Sequence, residues 1–207
     1  LRTRPDASLI QALQIDAPKT LIEPSSLVGE GEGCRTGFRG LPGLLDACHD
    51  RVKRSLQLLV DLRKYLQTKG CDDSARQAAR DVQRYFDIAA PLHHQDEELH
   101  IFPALTAQTA LQPALQSAIN QLLAEHERLT QLWAELRPAL LTWRDAPHPT
   151  APTAAERAVC RDFVALYQTH IAQEETQIYP AAAQQFNPEG LARIGAEMQA
   201  RRLIGVC

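Results

Sequence analysis

One string of residues occurs twice and limits the folds open to this chain. His93-His94-Gln95-Asp96-Glu97-Glu98-Leu99-His100-Ile101-Phe102-Pro103 is matched by His170-Ile171-Ala172-Gln173-Glu174-Glu175-Thr176-Gln177-Ile178-Tyr179-Pro180, and both fit H-x-x-x-E-E-x-x-I-[FY]-P. Phe86 and Phe163 each stand seven residues before the first histidine of their string. Four residues is just over one helical turn, so His93 and Glu97 share a helix face, as do His170 and Glu174. An imidazole and a carboxylate stacked in this way can reach one metal centre.

Two further histidines stand where the helical pattern calls for an apolar residue. His49 lies in the series Leu45, His49, Val52, Leu56, Leu59, Leu62, Leu66, and His126 lies in Leu115, Ile119, Leu122, His126, Leu129, Trp133, Leu136, Leu140. His49 precedes His93 by 44 residues, and His126 precedes His170 by the same 44. Residues at one height in an antiparallel helix pair are symmetric about the connecting turn. The midpoints fall beside Gly70, just before Pro113, and inside the stretch Ala146-Pro147-His148-Pro149-Thr150-Ala151-Pro152. All three are turn signals. The four histidines therefore share one layer of a bundle, with Glu97 and Glu174 about one turn away, and the chain reads as a duplicated helical hairpin.

The spacing predicts an all-α, up-down-up-down four-helix bundle, with helices near 41–68, 74–106, 113–144 and 153–184. Ser74 with Gln77, and Thr153 with Glu156, read as capping boxes. Asn187 and Pro188 open a short fifth helix to about 202. Pro91, inside the second helix, is expected to kink or break it. Residues 1–40 hold Pro5, Pro18, Pro24 and five glycines without a helical period. They read as an irregular N-terminal arm, with 41–207 forming the bundle and its short C-terminal helix.

Charge and composition remove several function classes. The net charge of −3 across 207 residues leaves no broad basic face for nucleic acid or an anionic membrane. No apolar run approaches the ~20 residues of a membrane span, and no signal-peptide pattern opens the chain. Cys34, Cys48, Cys71, Cys160 and Cys207 are odd in number and contain no C-x-x-C pair, which argues against a disulfide framework or a thiolate zinc site. The expected compartment is the cytoplasm.

Four histidines and two carboxylates exceed the roughly four ligands of one zinc ion. They suit two metals bridged by carboxylates, and mixed nitrogen and oxygen donors favour iron or manganese. A bundle burying six such groups without metal would cost several kcal/mol per charge. A pair of ferrous ions with bridging glutamates and a bridging oxo or hydroxo group leaves a position open to O2, NO or peroxide.

On the paired H…H-x-x-x-E halves, from about 41 to 184, the chain resembles the hemerythrin-like proteins of the HHE cation-binding family. The resemblance implies a non-heme di-iron centre carried by His49, His93, Glu97, His126, His170 and Glu174. It also implies a small diatomic ligand or peroxide as partner, and roles in gas sensing, iron handling or oxidative and nitrosative stress. Oxygen-carrying hemerythrins have a fifth histidine and close on H-x-x-x-x-D, where this chain has H-x-x-x-E and a second glutamate at 175. The four-His, two-Glu set is similar to that of the proteins that repair iron centres, but the cysteine-bearing N-terminal domain of those proteins has no match here. Iron donation to damaged iron–sulfur clusters is the alternative, and a metal used only for stability is a third reading. A ferritin-like site needs two E-x-x-H motifs. Glu97 and His100 supply one, but Gln177 stands where the second histidine should be.

Several neighbours have less defined expectations. His94 points about 100° from His93 and is expected in solvent. His100 is a candidate fifth ligand or a group supporting the ligands from behind. Tyr167 is expected to pack with its hydroxyl at the rim, and Cys48 as a small buried hydrophobe.

Overall fold

A computed structural model describes residues 40–107, 112–145 and 151–204. Most of the expected N-terminal arm and the turn bearing His148 lie outside these residues. Five helices follow in order: α1 (Gly40–Thr68), α2 (73–106), α3 (Pro113–Asp145), α4 (154–183) and α5 (Pro188–Ile204). No strand occurs among the described residues. Each long helix packs on the next, and α4 closes back on α1, which is the expected up-down-up-down bundle. The short α5 lies against α1 and α2. No described helix is long and apolar enough to cross a membrane.

The helix ends follow local chemistry. Gly70 adopts φ +79° at the α1–α2 turn, a left-handed conformation that disfavours a side chain. Thr153 and Glu156 form the expected capping box on α4. The box expected from Ser74 and Gln77 does not form. Asp72 caps α2 instead, accepting from the Ala75 N–H at 2.9 Å and from the Tyr65 hydroxyl at 2.7 Å. A carboxylate beside a helix N-terminus also meets the favourable end of the helix dipole. Asn187 accepts from the Gly190 N–H at 2.8 Å and caps α5.

Pro91 interrupts the α-helical bonding of α2 locally, and the helix continues through it. A single π-helical turn, Tyr85–Ala89, precedes it. Equivalent turns, Glu97–Ile101 and Glu174–Ile178, precede Pro103 and Pro180. In each case the residue just before the proline bonds five residues back: Ala90 to Tyr85, Phe102 to Glu97, and Tyr179 to Glu174. Proline lacks an N–H, and its ring crowds the carbonyl four residues back. Widening one turn relieves that clash and lets the helix continue. Pro138 is housed in α3 without a widened turn. Two of the three π turns thus begin at the paired glutamates, the sort of place where such turns are frequent.

The core is two apolar clusters with a polar layer between them. The larger gathers Leu56, Leu59, Leu62, Val82, Phe86, Leu136, Trp143 and Phe163. The smaller gathers Leu45, Ile101, Leu105, Ile119, Leu122 and Ile178. On every long helix the chain crosses from one cluster to the other at a histidine or a His–Glu pair. Each fully buried Leu or Phe stabilises by about 1.5–3 kcal/mol. The two clusters together can therefore offset an ionisable layer that costs several kcal/mol per unpaired charge.

Candidate metal centre

The six residues singled out by spacing meet in this layer. His49, His93, Glu97, His126, His170 and Glu174 are all buried, and none exceeds 4% exposure. Their donor atoms form two groups of four: His49, His93, Glu97, Glu174, and Glu97, His126, His170, Glu174. Within each group the atoms lie within 4.8 Å of one another. Both glutamates belong to both groups, and each divides its two oxygens between them. Glu174 sets Oε2 3.1 Å from His49 Nε2 and Oε1 3.1 Å from His170 Nε2. Glu97 sets Oε1 3.7 Å from His93 Nε2 and Oε2 3.6 Å from His126 Nε2.

These donors fit cations. Glu97 Oε2, both Glu174 oxygens and His93 Nδ1 are buried without a hydrogen-bond partner. Such groups are costly to leave unsatisfied. Ligands at right angles on an ion with bonds of about 2.1 Å stand about 3 Å apart. The Glu174 contacts match that spacing, as does the 3.2 Å between His126 Nε2 and His170 Nε2.

The electrostatics show what the layer bears without an ion. Burial and the adjacent Glu174 carboxylate push the Glu97 carboxyl well above its ordinary range. Burial also pushes on Glu174, but the His170, His49 and His93 imidazoles outweigh it and hold Glu174 well below that range. Two carboxylates in one site do not both ionise readily. Cation binding therefore has to displace protons from this layer. Burial and the neighbouring imidazoles lower His93 to about 3. Burial acts against His170 too, but Glu174 and Glu125 raise it.

The ring nitrogens facing away from the layer have their own partners. The two hairpins correspond with an offset of 77 residues. The second glutamate of each string bonds the first histidine of the other hairpin: Glu175 to His49 Nδ1 at 3.0 Å, and Glu98 to His126 Nδ1 at 2.7 Å. Lys53 anchors Glu175 at 2.6 Å. Glu125 holds His170 Nδ1 at 2.9 Å. His93 Nδ1 has no such carboxylate, because Cys48 stands at the position equivalent to Glu125. A carboxylate behind a histidine fixes its tautomer and raises its basicity as a ligand. Spacing found the ligand candidates but not these supports, although the doubled E-E was a visible signal.

Three expectations need correction. His94 is buried rather than solvated, and stacks on His126 with ring centroids 4.0 Å apart and planes 7° apart. The core face of α2 is wide enough to take two successive residues. The Tyr167 hydroxyl is not at the rim; it lies buried, 3.5 Å from His94 Nε2. His100 is not among the grouped donors. It faces α5, with Nε2 3.0 Å from Arg201 and 3.6 Å from Glu197. Arg201 also pairs with the buried Asp96, tying α5 to α2 beside the layer. Cys48 is buried as expected. Tyr179 was not anticipated. Its hydroxyl lies inside the layer, 2.8 Å from His49 Nε2 and 2.5 Å from Glu97 Oε1.

Comparison with known proteins gives two findings. The family described as the hemerythrin HHE cation binding domain matches residues 42–182. A Haemophilus influenzae protein described as uncharacterized is 31% identical over 161 residues, covering 78% of this chain and 89% of its own.

Proposed function

This chain belongs to the hemerythrin HHE cation-binding family, and on that premise we propose that it is a non-heme di-iron protein that binds or reacts with O2, NO or peroxide. One observation carries the reading. Glu97 and Glu174 each turn one oxygen to either histidine pair, as two bridging carboxylates would. His49 and His93 would hold one ion, and His126 and His170 the other. Two ferrous ions side by side supply a pair of electrons and positions at which a small ligand can bind.

The protein's part is to orient and to exclude. Glu175, Glu98 and Glu125 fix three of the imidazoles from behind. The apolar clusters on either side keep bulk water from the layer, which strengthens every charge interaction inside it. His94 and Tyr167 place a ring nitrogen and a phenol against the His126–His170 side, in position to hydrogen-bond a small polar ligand.

A second reading, iron handling for iron–sulfur cluster repair, is favoured by His93. Its ring lacks the carboxylate that anchors the other three, which suits an ion that leaves more readily.

Elemental analysis of protein purified without added metal tests the first reading, with absorption spectra before and after anaerobic reduction. The expected result is roughly two irons per chain, as in di-iron bundles. Ferric bands should bleach on reduction and change on exposure to O2, NO or peroxide. One zinc, or iron with no response to any of these, would overturn it. Iron that moves to an apo iron–sulfur acceptor, with no small-ligand response, would favour the second reading.

A further inference from the structure

Tyr179 and Phe102 are equivalent residues of the two hairpins, and each stands directly before a proline that follows a π turn. Their rings are set alike. Tyr179 lies 5.0 Å from the His49 ring with the planes 27° apart, and Phe102 lies 5.9 Å from the His126 ring, also at 27°. Only one of the two carries an oxygen. That oxygen sits 2.8 Å from His49 Nε2 and 2.5 Å from Glu97 Oε1, two donor atoms of one group. These are near the separations of about 3 Å between adjacent ligands on a six-coordinate ion.

We propose that Tyr179 is itself a metal ligand, a phenolate oxygen on the ion held by His49 and His93, and that the other ion has no phenolate counterpart. The inference rests on the di-iron reading. Ligation breaks the phenol O–H bond, forms an oxygen–metal bond and releases one proton to solvent, with no change in oxidation state. A phenolate is an anionic oxygen donor and favours the ferric over the ferrous ion. The tyrosine adds to one ion an oxygen donor that Phe102 cannot add to the other. The pair is therefore chemically unequal although the six donors its two groups of four share out are matched.

Resonance Raman spectra of the ferric protein test the assignment, alongside iron content and proton release on metal loading. Wild type should show a visible charge-transfer band that enhances phenolate ring vibrations. Tyr179→Phe should lose those vibrations, keep its iron, and release one proton fewer per chain. Phe102→Tyr should strengthen the phenolate signal by adding a ligand to the second ion. Two irons without phenolate vibrations in wild type would overturn the assignment alone and leave Tyr179 as a hydrogen-bond partner of Glu97. Failure of wild type to take up iron would overturn the di-iron reading and the assignment together. The wild-type spectrum and the Phe102→Tyr variant keep the question decidable if Tyr179→Phe does not fold.

Discussion

The two hairpins carry the same donors at the same spacing and support them differently. In the second, His170 leans on Glu125 of the neighbouring helix, and the residue before Pro180 is a tyrosine. In the first, the residue equivalent to Glu125 is Cys48, and the residue before Pro103 is a phenylalanine. The first hairpin also has a feature the second lacks. The π turn Tyr85–Ala89 carries Asp87, which accepts from Trp133, Arg137 and Gln83 and ties α2 to α3. Duplication preserves what must meet at a shared point, while the residues behind it are free to diverge. A centre with matched donors can thus hold two inequivalent positions.

The largest test removes what the hairpins share. Glu174→Ala should lower metal content to below one ion per chain, because both groups lose a ligand. His126→Ala should remove the second ion and spare the first. Elemental analysis separates these outcomes, and equal losses from the two variants would break the two-group picture.

Supports behind the ligands come next. Glu125→Ala should weaken retention of one ion by about 10–100-fold, the usual effect of losing a carboxylate behind a ligating histidine. Cys48→Glu should strengthen the other by a comparable factor, because it offers His93 the missing partner. Competition with a coloured chelator reads both. If Cys48→Glu left release from the first hairpin unchanged, the contrast between Glu125 and Cys48 would carry no meaning for metal retention.

The same contrast predicts opposite pH behaviour in the metal-free protein. His93 titrates near 3 when folded, against an ordinary histidine value of about 6.5. Between those values the unfolded chain takes up a proton that folded His93 does not. Stability from this group should fall as pH drops, by up to ~1.4 kcal/mol per pH unit. His170 is raised, so its contribution is complete below the unfolded value and is lost as pH rises through the folded one. Denaturation of metal-free protein at several pH values should show a flatter acid limb in His93→Gln. His170→Gln should cost a constant amount of stability below about 6.5 and less as pH rises above it.

Asp87→Asn is the smallest change. Burial pushes the Asp87 carboxyl up, but Arg137, Trp133 and Gln83 outweigh it and hold it below its ordinary value. The site is partly exposed, so the loss should be about 1 kcal/mol in urea denaturation, with metal content unchanged. A drop in metal content would mean that this anchor also sets the height of His93.

The fold and the six clustered residues were legible because both depend on chain spacing, which helix geometry converts directly into height and face. His94 and Tyr179 were harder to read. His94 lies about 100° around the helix from His93, and Tyr179 follows Glu174 across a π turn that an α-helical period does not contain; the surroundings of both depend on which neighbouring helix they meet. Glu98 and Glu175 were visible as the second letter of a repeated E-E, but each serves a histidine of the opposite hairpin, a pairing no single-helix pattern contains. The cap of α2 was misplaced because Asp72 and Ser74 are both good cap residues two positions apart, and Tyr65 favours the former. Pro91 was read as a kink or local break, and the interruption takes the form of a π turn before it, which relieves the proline clash and lets the helix continue.

The polar layer between the two apolar clusters has a consequence for how the molecule comes apart. Cooperative unfolding needs continuous packing, and here the continuity is interrupted at one height on all four helices. Without metal, the smaller cluster around Leu105, Ile119 and Ile178 is the end expected to open on its own. Metal ligated from four helices would fasten the two ends and stabilise them together through binding. Amide hydrogen exchange should then show two classes of protection in metal-free protein, the faster around Leu105 and Ile119, merging into one on loading. Identical exchange at both ends of the metal-free bundle would show that the layer transmits cooperativity as well as an apolar core does. In that case occupancy of the centre would govern its chemistry and leave the unit of folding unchanged.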